Sequence, residues 1–249
     1  MKALITGASS GIGRDMARLL SEKGYDLILV ARREDRLLEL KKEFNTNVEI
    51  ISLDVSDKDN CFEIYERVKE QDIDILINNA GFGIFGKFCD IDIEKELNMI
   101  DVNIKAVDIL TKLFLRDFKA KNKGYILNVA SSAAFLPGPL LSSYYASKAY
   151  VLRLTQAIYE ELRREKSNVY VGVLCPGPVD TEFNKVANVR FALKGLTSEF
   201  VAKYAIDKMF KRKLVIVPGF VMKCARVASK ITPDRLLLKV AYNQQKKKV

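Results

Sequence analysis

Short apolar runs alternate with longer amphipathic segments along most of this chain. The runs are rich in Ile, Leu and Val and almost free of polar residues, as is typical of parallel strands covered on both faces. The predicted strands are Lys2–Ile5, Asp26–Val30, Val48–Leu53, Ile73–Ile77, Tyr125–Val129, Val169–Leu174 and Leu214–Val217. The predicted helices between them are Ile12–Lys23, Arg36–Phe44, Asp57–Lys69, Glu94–Phe118, Tyr144–Arg164 and Ser198–Phe210. This alternation predicts an α/β fold with a doubly wound parallel sheet.

No repeat, linker or low-complexity tract interrupts the alternation, so we expect a single domain over residues 1–249. The chain reaches Gly7 without a long apolar stretch before it. A secretory signal needs such a stretch, and we therefore expect a cytoplasmic protein.

The chain contains no histidine, which removes the commonest general base and metal ligand. Its four cysteines are far apart and form no CxxC pair, so we expect no metal site. Acid–base chemistry must then come from Tyr, Lys, Cys or carboxylate groups.

A glycine-rich turn follows the first predicted strand and opens a helix. Gly7 permits a tight turn, Gly11 lets the backbone approach a pyrophosphate, and Gly13 lets helix and strand pack closely. Ser9, Ser10 and Ile12 belong to the same turn, where the helix offers free N–H groups to phosphates. The turn lacks the GKS/T ending of a P-loop, so it predicts a dinucleotide site in a Rossmann fold.

The end of the second predicted strand indicates which dinucleotide binds. A site that selects NAD places an acid there, but this chain has Ala31 followed by Arg32 and Arg33. A guanidinium pairs bidentately with a 2′-phosphate, so we expect NADP. The alternative is that Glu34 and Asp35 pair with the two arginines in a solvated loop.

Four further motifs follow the glycine turn. They are Asn78-Asn79-Ala80-Gly81, Ser131, Tyr144-xxx-Lys148 and Pro176-Gly177. Their order and spacing, together with the glycine turn, are those of the short-chain dehydrogenase/reductase family. Five motifs in register make an accidental match very improbable, and the chain therefore resembles this family over nearly its whole length.

The resemblance implies the catalytic roles. Tyr144 would be the general acid in carbonyl reduction and the base in alcohol oxidation, and Lys148, one helical turn on, would stabilise its phenolate. Ser131 would bind the substrate carbonyl oxygen, and we favour it over Ser132 because strand residues alternate between faces. Asn103 would anchor a water molecule through its backbone carbonyl.

The resemblance also implies cofactor contacts beyond the glycine turn. Tyr145 is expected to be a packing residue, and Cys175 is not expected to be a nucleophile. The further cofactor-binding residues are Asp54, Val55, Asn79, Ala80, Gly81, Tyr144, Lys148, Pro176, Gly177, Val179 and Thr181. Asp54 would contact the adenine amino group and Thr181 the carboxamide.

The substrate expected from the resemblance is a small-molecule ketone, aldehyde or alcohol. Residues 182–197, with apolar and basic side chains interleaved, predict a mobile lid whose apolar inner face permits a lipid-like or β-ketoacyl substrate. Two competing functions are a nucleotide-sugar epimerase or dehydratase, for which the chain lacks a second domain, and a non-enzymatic NADP-binding regulator. The four intact catalytic residues argue against the regulator.

Two expectations concern partners. The helices at 94–118 and 144–164 carry more apolar surface than one sheet face needs, so we expect a homo-oligomer, a dimer or a tetramer. Residues 219–249 predict a basic helical segment that lies on an anionic membrane, docks an acidic acyl-carrier protein, or packs over the cleft or a partner subunit. Nucleic acid is not expected, because no reading motif accompanies the charge.

Overall fold

The computed structural model describes residues 1–183 and 195–246. The strands, in chain order, are β1 Lys2–Thr6, β2 Asp26–Val30, β3 Val48–Ile51, β4 Ile73–Asn78, β5 Tyr125–Val129, β6 Tyr170–Leu174, β7 Val179–Asp180, β8 Leu196–Thr197 and β9 Val215–Ile216. The helices are α1 Gly11–Glu22, α2 Glu34–Lys42, α3 Lys58–Val68, α4 Ile93–Ile100, α5 Ala106–Ala120, α6 Ser142–Arg164, α7 Ser198–Phe210, α8 Phe220–Ile231 and α9 Asp234–Lys246.

Seven strands form one parallel sheet in the order β3-β2-β1-β4-β5-β6-β9. The strand order reverses between β1 and β4. From β1 the chain adds β2 and β3 on one side, and it then returns to add β4, β5, β6 and β9 on the other side. This is the doubly wound Rossmann-like arrangement that the alternation predicted. Its ligands belong at the carboxyl ends of the strands beside the reversal.

Alternate residues of each strand enter different cores. In β1, Ala3 and Ile5 pack with residues of α1, α2 and α7 on one face of the sheet. Leu4, between them, packs with residues of α3, α5 and α6 on the other face. Both faces are thus covered, which explains why the strand sequences are apolar without alternation.

Helix ends follow local sequence signals. Asp57 caps α3 by accepting a hydrogen bond from the Asp59 backbone N–H at 2.8 Å. Gly24 lies just beyond α1 with a φ of +81°, a left-handed conformation that glycine adopts without strain. Both residues are local sequence signals for the ends of helices.

The long helix predicted at 94–118 is interrupted. Helices α4 and α5 are joined by a π turn over Asp101–Lys105, in which the Ala106 backbone N–H bonds to the Asp101 carbonyl five residues back. Single π turns inside α-helices are frequent at functional sites. The helical period alone does not indicate such an insertion.

The predicted lid is only partly described, because residues 184–194 lie outside the described residues. Its last two residues, Leu196–Thr197, form β8 and pair with β7 in a small parallel sheet. The Leu196 backbone N–H donates to the Pro178 carbonyl at 3.0 Å, and the mobility of the segment stays a prediction. The basic C-terminal segment, which was predicted to be helical, forms α8 and α9.

A buried polar network connects the sheet centre to α5 and α6. The Asn78 side-chain amide donates to Asn128 Oδ1 at 2.8 Å and to Thr111 Oγ1 at 3.0 Å. The Asn128 amide in turn donates to Thr155 Oγ1 at 3.0 Å, and that hydroxyl donates to the Val151 carbonyl. Since α6 also carries Tyr144 and Lys148, this network fixes the helix against the strands that end at the site.

We expect Asn128→Ala to lower the free energy of unfolding by about 2 kcal/mol, since it leaves buried partners in β4 and α6 without hydrogen bonds. Asn45→Ala is the matched control, because Asn45 is exposed and its substitution should change stability by less than about 0.5 kcal/mol. Urea unfolding of the three proteins gives both values. Equal stabilities for parent and Asn128→Ala would show that the network contributes nothing.

Candidate active site

A cleft of about 1430 Å³ opens at the carboxyl ends of the strands. Every residue predicted for cofactor binding or catalysis lines it, except Gly13 and Asn103, which lie behind its wall. Residues distant in the chain therefore meet at the edge of the sheet that the strand reversal indicates.

The glycine turn is held by Asn79. The Asn79 side-chain amide donates to the carbonyls of Thr6 and Gly7 at 3.0 and 3.1 Å. A Cβ on Gly7 would lie 2.8 Å from Ala80 Cα, and one on Gly13 would lie 2.6 Å from the Gly7 carbonyl oxygen. Larger residues at either position would displace the turn, which explains the requirement for glycine there.

Helix α1 begins at Gly11 and directs its first N–H groups into this end of the cleft. Its N-cap residue, Ser10, makes no side-chain capping bond, and no acid lies in the first turn. A helix N-terminus of this kind attracts a phosphate through its N–H groups and its dipole. The bare backbone and the glycine cradle fit the pyrophosphate of a dinucleotide.

Arg33 and Arg32 lie beside the turn, but they are held differently. The Arg33 guanidinium donates to the hydroxyls of Ser9 and Ser10, each at 3.1 Å, and to Glu182 at 2.9 Å. Arg32 is 67% exposed and lies 3.4 Å from Asp54. The alternative pairing of these arginines with Glu34 and Asp35 is therefore wrong, since other carboxylates are their partners.

Tyr144 and Lys148 face the cleft one helical turn apart in α6. The Lys148 ammonium lies 5.9 Å from the centre of the Tyr144 ring and donates to the Val129 carbonyl at 3.1 Å. Burial lowers the pKa of Lys148 to about 8. Burial also raises the pKa of Tyr144, and the nearby Ser131 side chain offsets part of that rise.

Burial favours the neutral phenol of Tyr144 over its phenolate, because an anion removed from solvent is more costly than the phenol. The expected stabilisation of the phenolate by Lys148 stays a prediction.

Ser131 is distinguished from Ser132 by geometry that differs from the prediction. Strand β5 ends at Val129, so both serines lie beyond the strand and the alternation of faces does not apply to them. Both line the cleft, but only Ser131 influences the pKa of Tyr144. The Ser132 backbone N–H instead donates to the Pro176 carbonyl at 2.7 Å.

Asn103 is fully buried inside the π turn, so it is not a solvated helix residue. Its side-chain amide donates to the Phe82 carbonyl at 2.9 Å and to Ser147 Oγ at 3.0 Å, and its Oδ1 accepts from the Phe82 N–H. Ser147 in turn donates to the Tyr144 carbonyl. The side chain thus ties the loop after β4 to α6. The role of its backbone carbonyl stays a prediction.

Cys175 is fully buried, and burial raises the pKa of its thiol to about 12. A protonated, buried thiol is a poor nucleophile, in agreement with the sequence analysis.

A family model described as short chain dehydrogenase matches residues 1–190. An uncharacterised oxidoreductase of Staphylococcus epidermidis is 38% identical over 181 residues, covering 72% of this chain and 78% of its own. Human 17-beta-hydroxysteroid dehydrogenase type 3 is 34% identical over 210 residues, covering 80% of this chain and 65% of its own.

Solved structures of short-chain dehydrogenases are similar to this chain in fold. A short-chain dehydrogenase from Sphingobium yanoikuyae in complex with NADPH has a TM-score of 0.82 and 31% identity, covering 94% of this chain and 99% of its own. One from Burkholderia phymatum in complex with NAD has a TM-score of 0.83, covers 91% of both chains and, at 24% identity, shows the shared fold. This chain belongs to the short-chain dehydrogenase/reductase family.

This short-chain dehydrogenase also has site residues that the sequence analysis did not assign. Gln245, near the end of α9, donates through its side-chain amide to the Tyr145 hydroxyl. Glu182 accepts hydrogen bonds from both Arg33 and Arg36. No local pattern indicates either contact, because each joins residues a hundred or more positions apart.

Gly81 lies against Asn103 and Lys148, two of the residues that were predicted to be catalytic. A Cβ built on it would lie 2.9 Å from Asn103 Oδ1 and 2.9 Å from the Lys148 ammonium. Even one methyl group at this position must therefore displace the lysine or the asparagine.

We expect Gly81→Ala to lower oxidoreductase turnover by about 10²-fold, because displacing a reacting group by about 1 Å has an effect of that order. Gly86→Ala is the matched control: its new methyl group would meet only the flexible Ile91 side chain, at 3.1 Å. Steady-state rates and thermal unfolding of both variants separate a displaced lysine from a folding defect. A Gly81→Ala enzyme with parental turnover would contradict this account.

Proposed function

We propose that this chain is an NADP-dependent oxidoreductase that transfers a hydride between NADPH and a ketone or aldehyde, with Tyr144 as the proton donor. The observation that carries the proposal is the position of the Tyr144 phenol, which lies beside Ser131 and Lys148 in the same cleft as the glycine turn. NADPH supplies the hydride when it is bound.

The protein groups divide the proton chemistry among them. Ser131 is placed to donate a hydrogen bond to the carbonyl oxygen, and Tyr144 is placed to give that oxygen a proton as negative charge develops on it. The raised pKa of Tyr144 keeps the proton on the phenol until negative charge develops on the substrate oxygen. Lys148, whose pKa is lowered to about 8, still carries its charge at neutral pH and favours the phenolate that remains.

The choice of NADP over NAD rests on the arginines. Arg33 is oriented by the two serine hydroxyls of the glycine turn, so its guanidinium is available at the end of the cleft where the adenosine ribose belongs. Arg32 adds an exposed positive charge next to it. A 2′-phosphate would take the place of the Glu182 carboxylate, to which Arg33 now donates one charge-assisted hydrogen bond.

The proposed substrate is a carbonyl group on an apolar, lipid-like body. Phe82, Phe85 and Leu141 line the cleft near Tyr144, and Met222 and Leu237 of the C-terminal helices line its outer part. Pockets with mostly apolar walls and a few polar groups orient ligands through those polar groups. A relative that is named as a hydroxysteroid dehydrogenase agrees with this class of substrate.

We expect Tyr144→Phe to lower carbonyl reduction by about 10²–10⁴-fold, the usual contribution of a positioned general acid, while NADPH still binds. Tyr145→Phe is the control, since it removes the neighbouring hydroxyl, whose partner is Gln245. A panel of ketones and aldehydes with apolar bodies supplies the assay, and fluorescence titration measures NADPH binding. Parental activity in Tyr144→Phe, or loss only in Tyr145→Phe, would show that the proton comes from elsewhere.

We expect Arg33→Ala to weaken NADPH binding by about 10–100-fold, the effect of losing one charge-assisted contact with a buried or partly buried phosphate, and to leave NADH binding nearly unchanged. Arg32→Ala should have a smaller effect in the same direction, because its guanidinium is more exposed. Dissociation constants of both nucleotides for parent and variants test this. Equal affinities of the parent for NADPH and NADH would refute the NADP assignment without affecting that of Tyr144.

A further inference from the structure

Helix α8 has an inner and an outer face. Met222, Ala225 and Ser229 line the cleft. On the other side Phe220, Val227 and Ile231 recur at i, i+7 and i+11, so they form one stripe along the helix. These three side chains are 79%, 62% and 80% exposed. The outer face of this helix is therefore an apolar ridge in contact with water.

Basic side chains lie next to this ridge and continue onto α9. Lys223 and Lys230 flank the stripe of α8, and Arg235, Lys239 and Lys246 recur at i, i+4 and i+11 on the outer face of α9. Within residues 1–183 and 195–246, no carboxylate lies within 4.0 Å of these five cations, so none is neutralised by an ion pair.

The exposed side chains of α9 repeat the combination. Leu238 and Tyr242, at i and i+4, are both exposed beside the stripe of basic residues. Leu237 and Ala241 face the cleft instead. Each of the two helices thus has one face in the cleft wall and an opposite face that is both apolar and cationic. We name residues 220–246 the amphipathic helix pair.

Positive charge is concentrated in this part of the chain. Residues 220–249 contain eight Lys or Arg and one acid, a net charge of +7, whereas the whole chain has a net charge of +10, so residues 1–219 carry only +3. Such an asymmetry favours an anionic partner for the C-terminal region alone.

We propose that the amphipathic helix pair docks this enzyme on an anionic lipid bilayer. Headgroups pair with the lysines and arginines, while the exposed aliphatic and aromatic side chains enter the boundary with the acyl chains. A second copy of the chain would bring like charges together at this face, and the phosphates of nucleic acid offer nothing to the apolar ridge. None of the helices in the described part of the chain is long and apolar enough to span a bilayer.

The bilayer accounts for both properties of the outer face at once. Apolar burial alone or one charge alone gives weak and reversible attachment, and stable attachment takes two such signals. Because the inner faces of the same helices line the cleft, docking would place the cleft wall against the lipid. If the proposed carbonyl reductase function holds, an apolar substrate could reach the cleft from the bilayer.

The test is sedimentation of the full chain with vesicles, which needs no turnover and so can fail independently of the proposed function. Phosphatidylcholine vesicles containing phosphatidylserine are compared with vesicles of phosphatidylcholine alone, at low and high salt. We expect binding only to the anionic vesicles and a decrease with salt, because surface charges are screened. Absence of binding by the folded protein, or equal binding to both vesicles, overturns the proposal.

Matched variants test the location. Lys230→Gln with Lys239→Gln should weaken vesicle binding by about 25-fold, since each basic residue contributes about fivefold near an anionic surface. The control, Lys41→Gln with Lys42→Gln, changes the net charge equally on exposed residues of α2. Likewise Val227→Ser with Ile231→Ser should lose binding, whereas Leu38→Ser with Phe62→Ser, also exposed apolar positions, should not. Vesicle binding that persists in both the Lys230/Lys239 variant and the Val227/Ile231 variant overturns the proposal.

Two further outcomes would identify a different occupant and overturn the bilayer. An acyl-carrier protein that binds the parent but not the lysine variant, with no vesicle binding, would assign the surface to an acidic protein. A fall in molar mass by light scattering in Val227→Ser with Ile231→Ser, again without vesicle binding, would assign it to a second copy of this chain. Thermal unfolding of every variant confirms that each is folded.

Discussion

The arrangement of the active site depends on two asparagines that are buried where an apolar core would be expected. Asn78 and Asn128 occupy adjacent strands in register and bond to each other, to Thr111 of α5 and to Thr155 of α6. Apolar side chains at these positions could fill the same space but would offer no directional contacts to the two helices. Hydrogen bonds have fixed directions and lengths, so the network holds α6 in one register. The phenol and the ammonium on that helix are placed by this register.

The end of the cleft at the glycine turn depends on a second amide. Asn79, the neighbour of Asn78, supports the glycine turn through two backbone carbonyls. Two consecutive residues at the end of β4 therefore support the cleft. Asn78 acts through the buried network that holds α6, and Asn79 acts through the glycine turn. This explains how the sheet reversal between β1 and β4 keeps the glycine turn and Tyr144 in one cleft.

Much of this could be predicted from the sequence, because the signals are local. Strand β5 and helix α7 were predicted with the ends that the structure gives them, and the motifs are ordered along the chain as the strands require. The π turn at Asn103 was not predicted, since one inserted residue hardly changes the helical period. The Glu182 and Gln245 contacts were not predicted either, because they join segments that are far apart in the chain. The raised pKa of Tyr144 was not predicted, because it comes from burial, which depends on the whole fold.

The contact between Gln245 and Tyr145 makes the wall of the cleft depend on a helix far along the chain. Helix α9 follows Pro233, and its thirteen residues extend about 20 Å. Ala241 and Gln245 of this helix are buried, and the Gln245 amide donates to the Tyr145 hydroxyl beside Tyr144. Because a chain is synthesised from its N-terminus, the cleft is complete only after α9, the last of these helices to be made, has packed against α6.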